Sequence, residues 1–456
     1  MMLSFQSLLV LALVSLSLAL PSPPVKRSFK IVREANPNFK RLEGHKRSAG
    51  AGTRALIYAH RKYSVSLPAG LLESMKNGAV GGTTGAWVVK GEARNKAKGS
   101  HGAASARPVA LASGATAAPV VAITNGSSTG TVVATPVNGD VEYISNVNIG
   151  GQVIPMDFDT GSSDLWVFNT QLASASQQGH TVYDSSNSTT FEEITGATYS
   201  ISYGDGSGSA GNVGTDTVNI GGVTVTSQAI EMATAVSTSF IDDTDSNGLV
   251  GLAFSTLNTV TPTQQKTFFD NAMTSGTLAD NVFTADLRKN EAGAYEFGTI
   301  DATRFNGNMV WAAVNTTNGF WQFSSQSFSV AGSNGTITEG QAIADTGTSL
   351  MLANAAVING YYSMVSGAVS DAQVGGVTFP CNTTLPDLQI DVGGNMATVR
   401  GDDLNFAPVD AAGTTCFGGL QVIDSDLQIY GDIMFKSQFV AFNGANNSLG
   451  FAPHSS

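Results

Sequence analysis

The tripeptide Asp-Thr-Gly occurs twice in this chain of 456 residues, each time after a short, mostly apolar run. The first copy begins at Asp159 and the second at Asp345, 186 positions later (345 − 159). Burying a carboxylate among apolar strand residues costs roughly several kcal/mol unless a partner compensates for it. Because the same cost is incurred twice, we predict two matching half-structures that bring the two acids together.

Two carboxylates in contact do not ionise independently, so they share a proton. One acid then activates a water as general base while the other protonates the leaving group, which suits peptide hydrolysis without a covalent intermediate, a metal or a cofactor. In each copy we expect the Thr hydroxyl to bond across the seam, the Gly to allow a tight turn, and the next hydroxyl to donate to the acid. These supporting residues are Thr160, Gly161, Ser162, Thr346, Gly347 and Thr348. One copy alone would indicate an ordinary Asx turn.

A second repeat supports the two halves. An apolar-apolar-Gly element ends at Gly251, 92 residues after the first acid (251 − 159). A similar element ends at Gly431, 86 residues after the second acid (431 − 345). The nearly equal offsets predict one β unit used twice, with a cleft between the two copies.

The length gives room for two or three domains. The composition favours a turn-rich β protein, since Gly accounts for 51 residues and charged residues for only 13%. Short apolar or alternating runs bounded by Gly, Asn and Asp begin near residue 141 and are typical of antiparallel strands. After the N-terminus, no apolar run approaches the ~20 residues that cross a bilayer, so we expect a soluble product. The predicted strands are 141–149, 198–203, 216–220, 223–225, 310–314 and 388–392, and the predicted helices are 263–275 and 354–365.

The N-terminus is typical of a secretory signal peptide over residues 1–19. An apolar core at 8–16 precedes the small residues of 17–19, although no Lys or Arg precedes the core. Six Asn-x-Ser/Thr sequons agree with an extracellular destination, and their occupancy stays open. They lie at Asn125, Asn187, Asn315, Asn334, Asn382 and Asn446.

Charge divides the chain into a basic leader, residues 1–107, and an acidic body, residues 108–456. The leader carries 17 Lys/Arg and 4 Asp/Glu (+13), and the body carries 6 and 31 (−25). We interpret residues 20–107 as a propeptide docked on the body, with its boundary between 104 and 135. The attraction weakens as carboxylates protonate below about pH 4–5. A leader that only assists export is the alternative, and a nucleic-acid tail is disfavoured by the signal peptide.

Within the leader, residues 54–72 suggest an amphipathic helix that breaks near Pro68. The pairs Lys26-Arg27 and Lys46-Arg47 are dibasic and suit a processing protease. Residues 76–107 and the stretch to about 130 are rich in small residues and are interpreted as linker and cleavage region.

Four segments surround the two acids: 158–167 (FDTGSSDLWV), 344–350 (ADTGTSL), 251–255 (GLAFS) and 429–433 (IYGDI). Together they resemble the signatures of the pepsin-like aspartic proteases, most closely the secreted fungal aspergillopepsin and penicillopepsin type. The resemblance covers about residues 141–453. It implies an all-β, bilobal fold with the acids in the cleft, an N-terminal lobe with inter-lobe region over 108–330 and a C-terminal lobe over 331–456.

The chain has two cysteines, Cys381 and Cys416, which fit one disulfide in an oxidising compartment. A pair of free buried thiols is the alternative. The resemblance places them where the fungal enzymes have their C-lobe disulfide.

Residues 202–208 contain too many glycines to pack, which predicts an exposed and mobile hairpin tip. The resemblance implies that this tip, with Tyr203, Gly204 and Asp205, is the flap that closes over bound peptide. It also implies that the Tyr203 hydroxyl can meet the indole N–H of Trp166, and that Asp205 helps to accept Lys beside the scissile bond. A turn-favouring residue and nothing more is the alternative for Asp205.

Lys62 and Tyr63 in the leader resemble the family's Lys-Tyr plug, in which the ammonium lies between the two acids. A cation there would hold both carboxylates ionised and remove the shared proton. The alternative is that Lys62 is one of 17 leader cations without a special contact.

We therefore expect a monomeric, secreted acid endopeptidase made as a zymogen, which cuts next to bulky hydrophobic residues. Its expected partners are polypeptide substrates and its own propeptide as inhibitor, with no nucleic acid and no membrane. One rival hypothesis is an inactive pepsin-like protein that only binds peptides. Another is a cell-wall or adhesion protein, which would explain the β content and the sequons but not the paired signatures.

Overall fold

The apolar runs after residue 128 form strands, as their alternation predicts. A computed structural model describes residues 47, 49–76, 87–89, 128–203, 207–338 and 340–455. The predicted signal peptide, the pair Lys26-Arg27, most of the linker and the flap residues Gly204 and Asp205 lie outside the described residues. The mostly β fold confirms the predicted fold class.

The helices are short and few among the described residues. They are α1 (Ala51–Lys62), α2 (Ala69–Lys76), α3 (Thr238–Asp242), α4 (Phe268–Thr274), α5 (Ala355–Tyr362), α6 (Gly401–Leu404) and α7 (Asp432–Ser437). Single 3₁₀ turns lie at Ser174–Gln177, Ser185–Asn187 and Ser255–Leu257.

The described residues form 27 strands, β1 to β27 in chain order. The first are β1 (Trp87–Val89), β2 (Gly130–Val137), β3 (Glu142–Ile149), β4 (Gln152–Asp159), β5 (Leu165–Val167), β6 (Glu192–Ser202), β7 (Gly208–Ile220), β8 (Val223–Ser237), β9 (Gly248–Gly251), β10 (Val282–Arg288), β11 (Glu291–Phe297), β12 (Val310–Ala313) and β13 (Gln322–Ser324). The remaining strands are β14 (Ser327–Val330), β15 (Ser333–Thr336), β16 (Gln341–Ala344), β17 (Met351–Ala353), β18 (Val369–Asp371), β19 (Gly376–Pro380), β20 (Leu388–Val392), β21 (Asn395–Val399), β22 (Asn405–Pro408), β23 (Thr415–Gly418), β24 (Leu420–Val422), β25 (Leu427–Tyr430), β26 (Gln438–Asn443) and β27 (Ser448–Pro453).

These strands form one large sheet and three smaller ones. The large sheet follows the order β12-β27-β26-β10-β11-β2-β3-β4-β9-β5-β8-β7-β6, with β1 added to β8. The smaller sheets are β13-β16-β25-β17-β24, β15-β14-β20-β21 and β18-β19-β23-β22. The C-terminal strands β26 and β27 therefore belong to the same sheet as strands from the first half of the body.

The predicted internal repeat is present as two strand arrangements of the same order. In the first, β4 runs parallel to β9, β9 antiparallel to β5, and β5 parallel to β8. In the second, β16 runs parallel to β25, β25 antiparallel to β17, and β17 parallel to β24. Gly251 ends β9 and Gly431 directly follows β25, and at each a Cβ atom would collide with the backbone of the neighbouring acid-bearing loop.

The predicted strands overlap observed strands, but β6 and β7 begin earlier than the predicted 198 and 216, and β8 ends later than the predicted 225. The strand predicted at 388–392 coincides with β20. Helix α4 starts later than predicted because Thr267 caps it, accepting a hydrogen bond from the Asp270 N–H. The leader helix predicted over 54–72 is wrong in extent: α1 ends at Lys62, since Ser64 adopts a left-handed φ of 56°, and α2 starts after Pro68.

Cys381 and Cys416 form a disulfide, as predicted. The bond joins the turn after β19 to β23, which are paired strands of one sheet. Within the described part of the chain, no helix is both long and apolar enough to cross a membrane.

Candidate active site

Asp159 ends β4 and Asp345 directly follows β16, so equivalent strands present the two acids. Both side chains are fully buried. The Gly161 N–H donates to Asp159 Oδ1 at 2.8 Å, and the Gly347 N–H donates to Asp345 Oδ1 at 3.0 Å. The next hydroxyl in each loop, Ser162 or Thr348, donates to the outer oxygen of its acid.

The two loops are joined by reciprocal hydrogen bonds of the threonines. Thr160 Oγ1 donates to the Ala344 carbonyl at 2.8 Å, and Thr346 Oγ1 donates to the Phe158 carbonyl at 2.6 Å. Each hydroxyl also accepts the backbone N–H of the opposite Thr, at 3.1 and 2.9 Å. This exchange fixes the spacing of the two acids in the way that the sequence predicts.

The glycines of both tripeptides are required by close approach. A Cβ atom at Gly161 would collide with the Asp345 carboxylate and the Tyr63 hydroxyl. A Cβ atom at Gly347 would collide with the Asp159 carboxylate and the Lys62 ammonium. Neither glycine has a positive φ, so space rather than backbone conformation excludes a side chain here.

The Lys62 ammonium lies between the two acids. Its Nζ is 2.8 Å from Asp159 Oδ1 and 3.0 Å from Asp345 Oδ1, and its side chain is 3% exposed. The neighbouring Tyr63 hydroxyl donates to Asp345 Oδ2 at 2.6 Å, and its ring packs edge-on against Phe320. The leader therefore contacts both acids directly.

Burial and charge act against each other in this cluster. Burial alone would lower the pKa of Lys62, but Asp159 and Asp345 outweigh it and raise that pKa well above the ordinary value. Burial raises the pKa of Asp159, and Lys62 only partly opposes it. For Asp345, burial is outweighed by Lys62, Thr348 and Tyr63, which lower its pKa.

Tyr203 directly follows β6 and is buried rather than exposed, because apolar residues of the body and Tyr58 of the leader pack around it. Its ring lies 6.5 Å from that of Tyr58 in α1 and meets Phe240 of α3 edge-on, and Phe240 also packs against Trp166. Burial raises the pKa of Tyr203 well above its usual value. The Trp166 indole lies near the Tyr203 hydroxyl, but neither group makes a hydrogen bond of ordinary geometry with a described residue.

Comparison with known proteins agrees with this geometry. The family model of the eukaryotic aspartyl proteases matches residues 142–454. The chain belongs to this family.

Fungal aspartyl proteases are among its relatives. Endothiapepsin from Cryphonectria parasitica is 42% identical over 433 residues, which cover 94% of this chain and 90% of that protein. Penicillopepsin-1 from Penicillium janthinellum is 45% identical over 320 residues, covering 70% of this chain and 97% of its own length. Aspergillopepsin-1 from Aspergillus fumigatus is 42% identical over 320 residues, covering 70% and 80%. The chain is thus a pepsin-like aspartic endopeptidase, and polypeptides are its substrates.

In this aspartyl protease the leader docks through more than opposite charges. The Thr53 hydroxyl donates to the Val374 carbonyl at 3.0 Å, and His60 Nε2 lies 3.2 Å from the Val422 carbonyl. Gly52 lies against the Phe417 ring, with no room for a side chain. These contacts are apolar or involve backbone carbonyls, so the purely electrostatic clamp is only part of the attachment.

Arg47 is a leader cation that is buried in the body. Its guanidinium lies 3.9 Å above the Phe406 ring and donates to the carbonyls of Phe406, Gly139 and Asp140. Burial lowers its pKa, although Asp140 opposes the shift. A protease that cuts after Lys46-Arg47 has no access to Arg47 in the docked leader.

Sequence analysis missed several neighbours of the acids. Asp157 lies two residues before Asp159 in β4, and its pKa is raised well above normal by burial and then by Asp159, with Lys62 opposing. Strand alternation could have found it, because residues i and i+2 share a face. Similarly, Tyr58 is four residues before Lys62 and shares its face of α1. Phe240 and Phe320 carry no local signal, since only the fold brings them to the site.

Proposed function

We propose that the chain is the zymogen of a secreted acid endopeptidase, in which Asp159 and Asp345 activate a water through one shared proton. The observation that carries the proposal is the symmetrical pair of buried acids, each held by a glycine N–H and a hydroxyl, with a leader cation between them. Once Lys62 leaves, two adjacent carboxylates favour retention of one proton. The ionised acid then takes a proton from the water as the water oxygen bonds to the peptide carbonyl carbon. The protonated acid donates its proton to the amide nitrogen as the C–N bond breaks and the amine leaves.

In this proposal the leader inhibits through Lys62 and Tyr63. The ammonium stabilises both carboxylates in ionised form, so the shared proton is lost. The docked leader therefore lowers the proton affinity of the pair, and by linkage protonation favours the undocked leader. Acidification releases the inhibitor, whereas neutral pH keeps it in place.

Aromatic contacts support a preference for bulky hydrophobic residues. Tyr63 packs against Phe320, and Tyr58 packs against Tyr203. Tyr63 also contacts Asp345, and we propose that both leader side chains occupy surfaces that a substrate would use after release. Trp166 and Phe240 extend the apolar surface behind Tyr203.

Secretion is supported by the apolar core at 8–16, the six sequons and the disulfide. We assign residues 1–19 to the signal peptide and 20–107 to the propeptide, with the boundary between 104 and 135. The N-terminal lobe with the inter-lobe region is assigned to 108–330 and the C-terminal lobe to 331–456, and the active form is proposed to be a monomer. Gly204 and Asp205 are proposed to complete the flap that Tyr203 begins.

The test starts from the purified proform at neutral pH. Acidification to about pH 3–4 should produce haemoglobin hydrolysis that pepstatin abolishes. Asp159→Asn and Asp345→Asn are the matched controls, and both should remain inert after the leader has been removed by an added protease. Wild-type protein that is inert after leader removal, or that only equals these variants, would support the peptide-binding alternative instead.

A further inference from the structure

A second pair of acids, Asp164 and Glu231, is buried in the body and takes no part in the proposed chemistry. Each residue is 1% exposed. Asp164 lies five residues after Asp159 (164 − 159). Glu231 lies in β8 directly opposite Trp166 of β5. The pair is therefore packed behind the strand that follows the Asp159 loop.

One oxygen of each carboxyl is satisfied by ordinary donors. Asp164 Oδ1 accepts the Thr259 N–H at 3.0 Å and the Thr259 hydroxyl at 2.7 Å. Glu231 Oε1 accepts the Asn258 amide at 2.9 Å, and the same amide reaches Asp164 Oδ1 at 3.4 Å. Asn258 thus bridges the two acids from one side.

The other two oxygens, Asp164 Oδ2 and Glu231 Oε2, are buried without an N–H or hydroxyl donor from the described residues. Because one Asn258 amide contacts both acids, the two carboxyls lie side by side, close enough for a hydrogen bond between them. Such a bond requires a proton on one of them, because ionised carboxylates only accept. Neither acid forms an ion pair with a described residue. Two tyrosines act near them: Tyr199, whose hydroxyl bonds to Ser209, and Tyr203, which directly follows β6.

The pair lies at the end of a series of hydrogen bonds that hold the Asp159 loop. The Leu252 N–H donates to the Asp159 carbonyl at 2.8 Å, and the Gly251 N–H donates to the Asp164 carbonyl at 2.9 Å. Asn258 also donates to the Ser163 carbonyl at 3.3 Å. The loop between Asp159 and Asp164 includes Ser162, the hydroxyl donor to Asp159.

We propose that Asp164 and Glu231 share one proton that positions the Asp159 loop, and that loss of this proton sets the upper pH limit of the folded enzyme. They act as positioning residues, because they reach Asp159 only through the loop. The expected change in the pH–activity profile rests on the proposed function of Asp159. The expected change in the pH midpoint of unfolding does not depend on that function.

The direction of the pH effect follows from the burial of the pair. Burial raises the pKa of Asp164, and burial together with the charge of Asp164 raises the pKa of Glu231 well above normal. The folded chain then keeps a proton that the unfolded chain loses above about pH 4–5. Stability is present below that range and falls as pH rises through the folded pKa values.

The test replaces the shared proton with a permanent amide donor. Glu231→Gln and Asp164→Asn are each built in an Asp159→Asn background, which prevents self-digestion. Tryptophan fluorescence and hydrogen exchange of residues 159–167 are followed from acid to alkaline pH. Both amide variants should raise the pH midpoint of unfolding by about one unit or more. Asp286→Asn is the control, because His454 and Arg288 pair with this buried carboxyl and lower its pKa to about 2, so its loss should not raise the midpoint.

The same substitutions in the active chain should extend the alkaline limb of the pH–activity profile. Midpoints equal to that of the Asp159→Asn parent, or lower in both amide variants, would overturn the shared proton. If Glu231→Gln does not fold, Asp164→Asn decides alone, since it places the amide on the opposite side of the same bond. A raised unfolding midpoint without any protease activity would retain this inference and reject the proposed function.

Discussion

The two halves of the site have the same strand order but differ directly behind the acids. Seven residues after Asp159, Trp166 faces Glu231, whereas seven residues after Asp345, Leu352 faces Gln421. The position of Asp164, five residues after its acid, corresponds to Leu350 in the second half. The first half thus holds an acid pair where the second half holds a leucine and an amide.

The second half has the neutral amide of Gln421 at the position where the first half has the ionisable Glu231. Its amide nitrogen donates to the carbonyls of Val377 and Gly418 at 3.0 and 2.8 Å, and its oxygen accepts the Val377 N–H at 2.8 Å. The side chain is 1% exposed, and its amide makes these hydrogen bonds at any pH because it does not titrate. The same strand pairing therefore accommodates either a pair of acids or a neutral amide. Because only the acids titrate, the first half is the pH-sensitive one.

The largest effect is expected where the halves are equivalent. Asp159→Asn and Asp345→Asn should each lower haemoglobin hydrolysis by at least about a thousandfold, because either change removes the shared proton chemistry. The measurement is initial rate at about pH 3–4 after leader removal. A variant that retains a large part of the activity would show that the halves are not equivalent in chemistry.

Gln421→Glu should give the second half the sensitivity of the first. The substitution removes two amide donors and buries a carboxyl, so stability should fall as pH rises above about 5, by about 2–4 kcal/mol at neutral pH. Urea unfolding at acid and neutral pH measures this. If the free energy of unfolding falls equally at both pH values, the lost amide donors alone explain the effect. A buried ionisable group would then not account for the difference between the halves.

Lys62→Ala removes the cation that both halves share. The docked leader is then held mainly by apolar and carbonyl contacts, so activation should begin at a pH higher by about one unit. Arg54→Ala is the matched control, since it removes one positive charge from the same helix away from the acids. Equal shifts in the two variants would favour a general charge effect over a specific plug.

The smallest effects are expected at the reciprocal threonines. Thr160→Ala and Thr346→Ala should each destabilise the proform by about 1–3 kcal/mol, because each leaves buried partners without a hydrogen bond. Thr→Ser at each position keeps the hydroxyl and should cost less. If urea unfolding gives clearly unequal losses of stability for the two Thr→Ala variants, the two threonines do not contribute equally, although their hydrogen-bond distances are similar.

The sequence predicted the parts of the site that are repeated within it. The two tripeptides, the threonine seam and the apolar-apolar-Gly strands all have a local pattern, so their pairing could be inferred. The Asp164–Glu231 pair could not, because 67 residues (231 − 164) separate the acids and only the parallel pairing of β5 with β8 brings them together. The end of α1 at Lys62 was missed because a left-handed Ser64, rather than Pro68, terminates it.

The place of β26 and β27 in the large sheet has a consequence for biosynthesis. β26 pairs with β10, and β27 pairs with β12, so these two strands from mid-chain stay unpaired on one side until residues 438–453 have been made. The ribosome must therefore release the chain through β27 before this sheet can close. Until then the nascent chain exposes unpaired edges, and assistance from chaperones during synthesis would be most valuable at that stage.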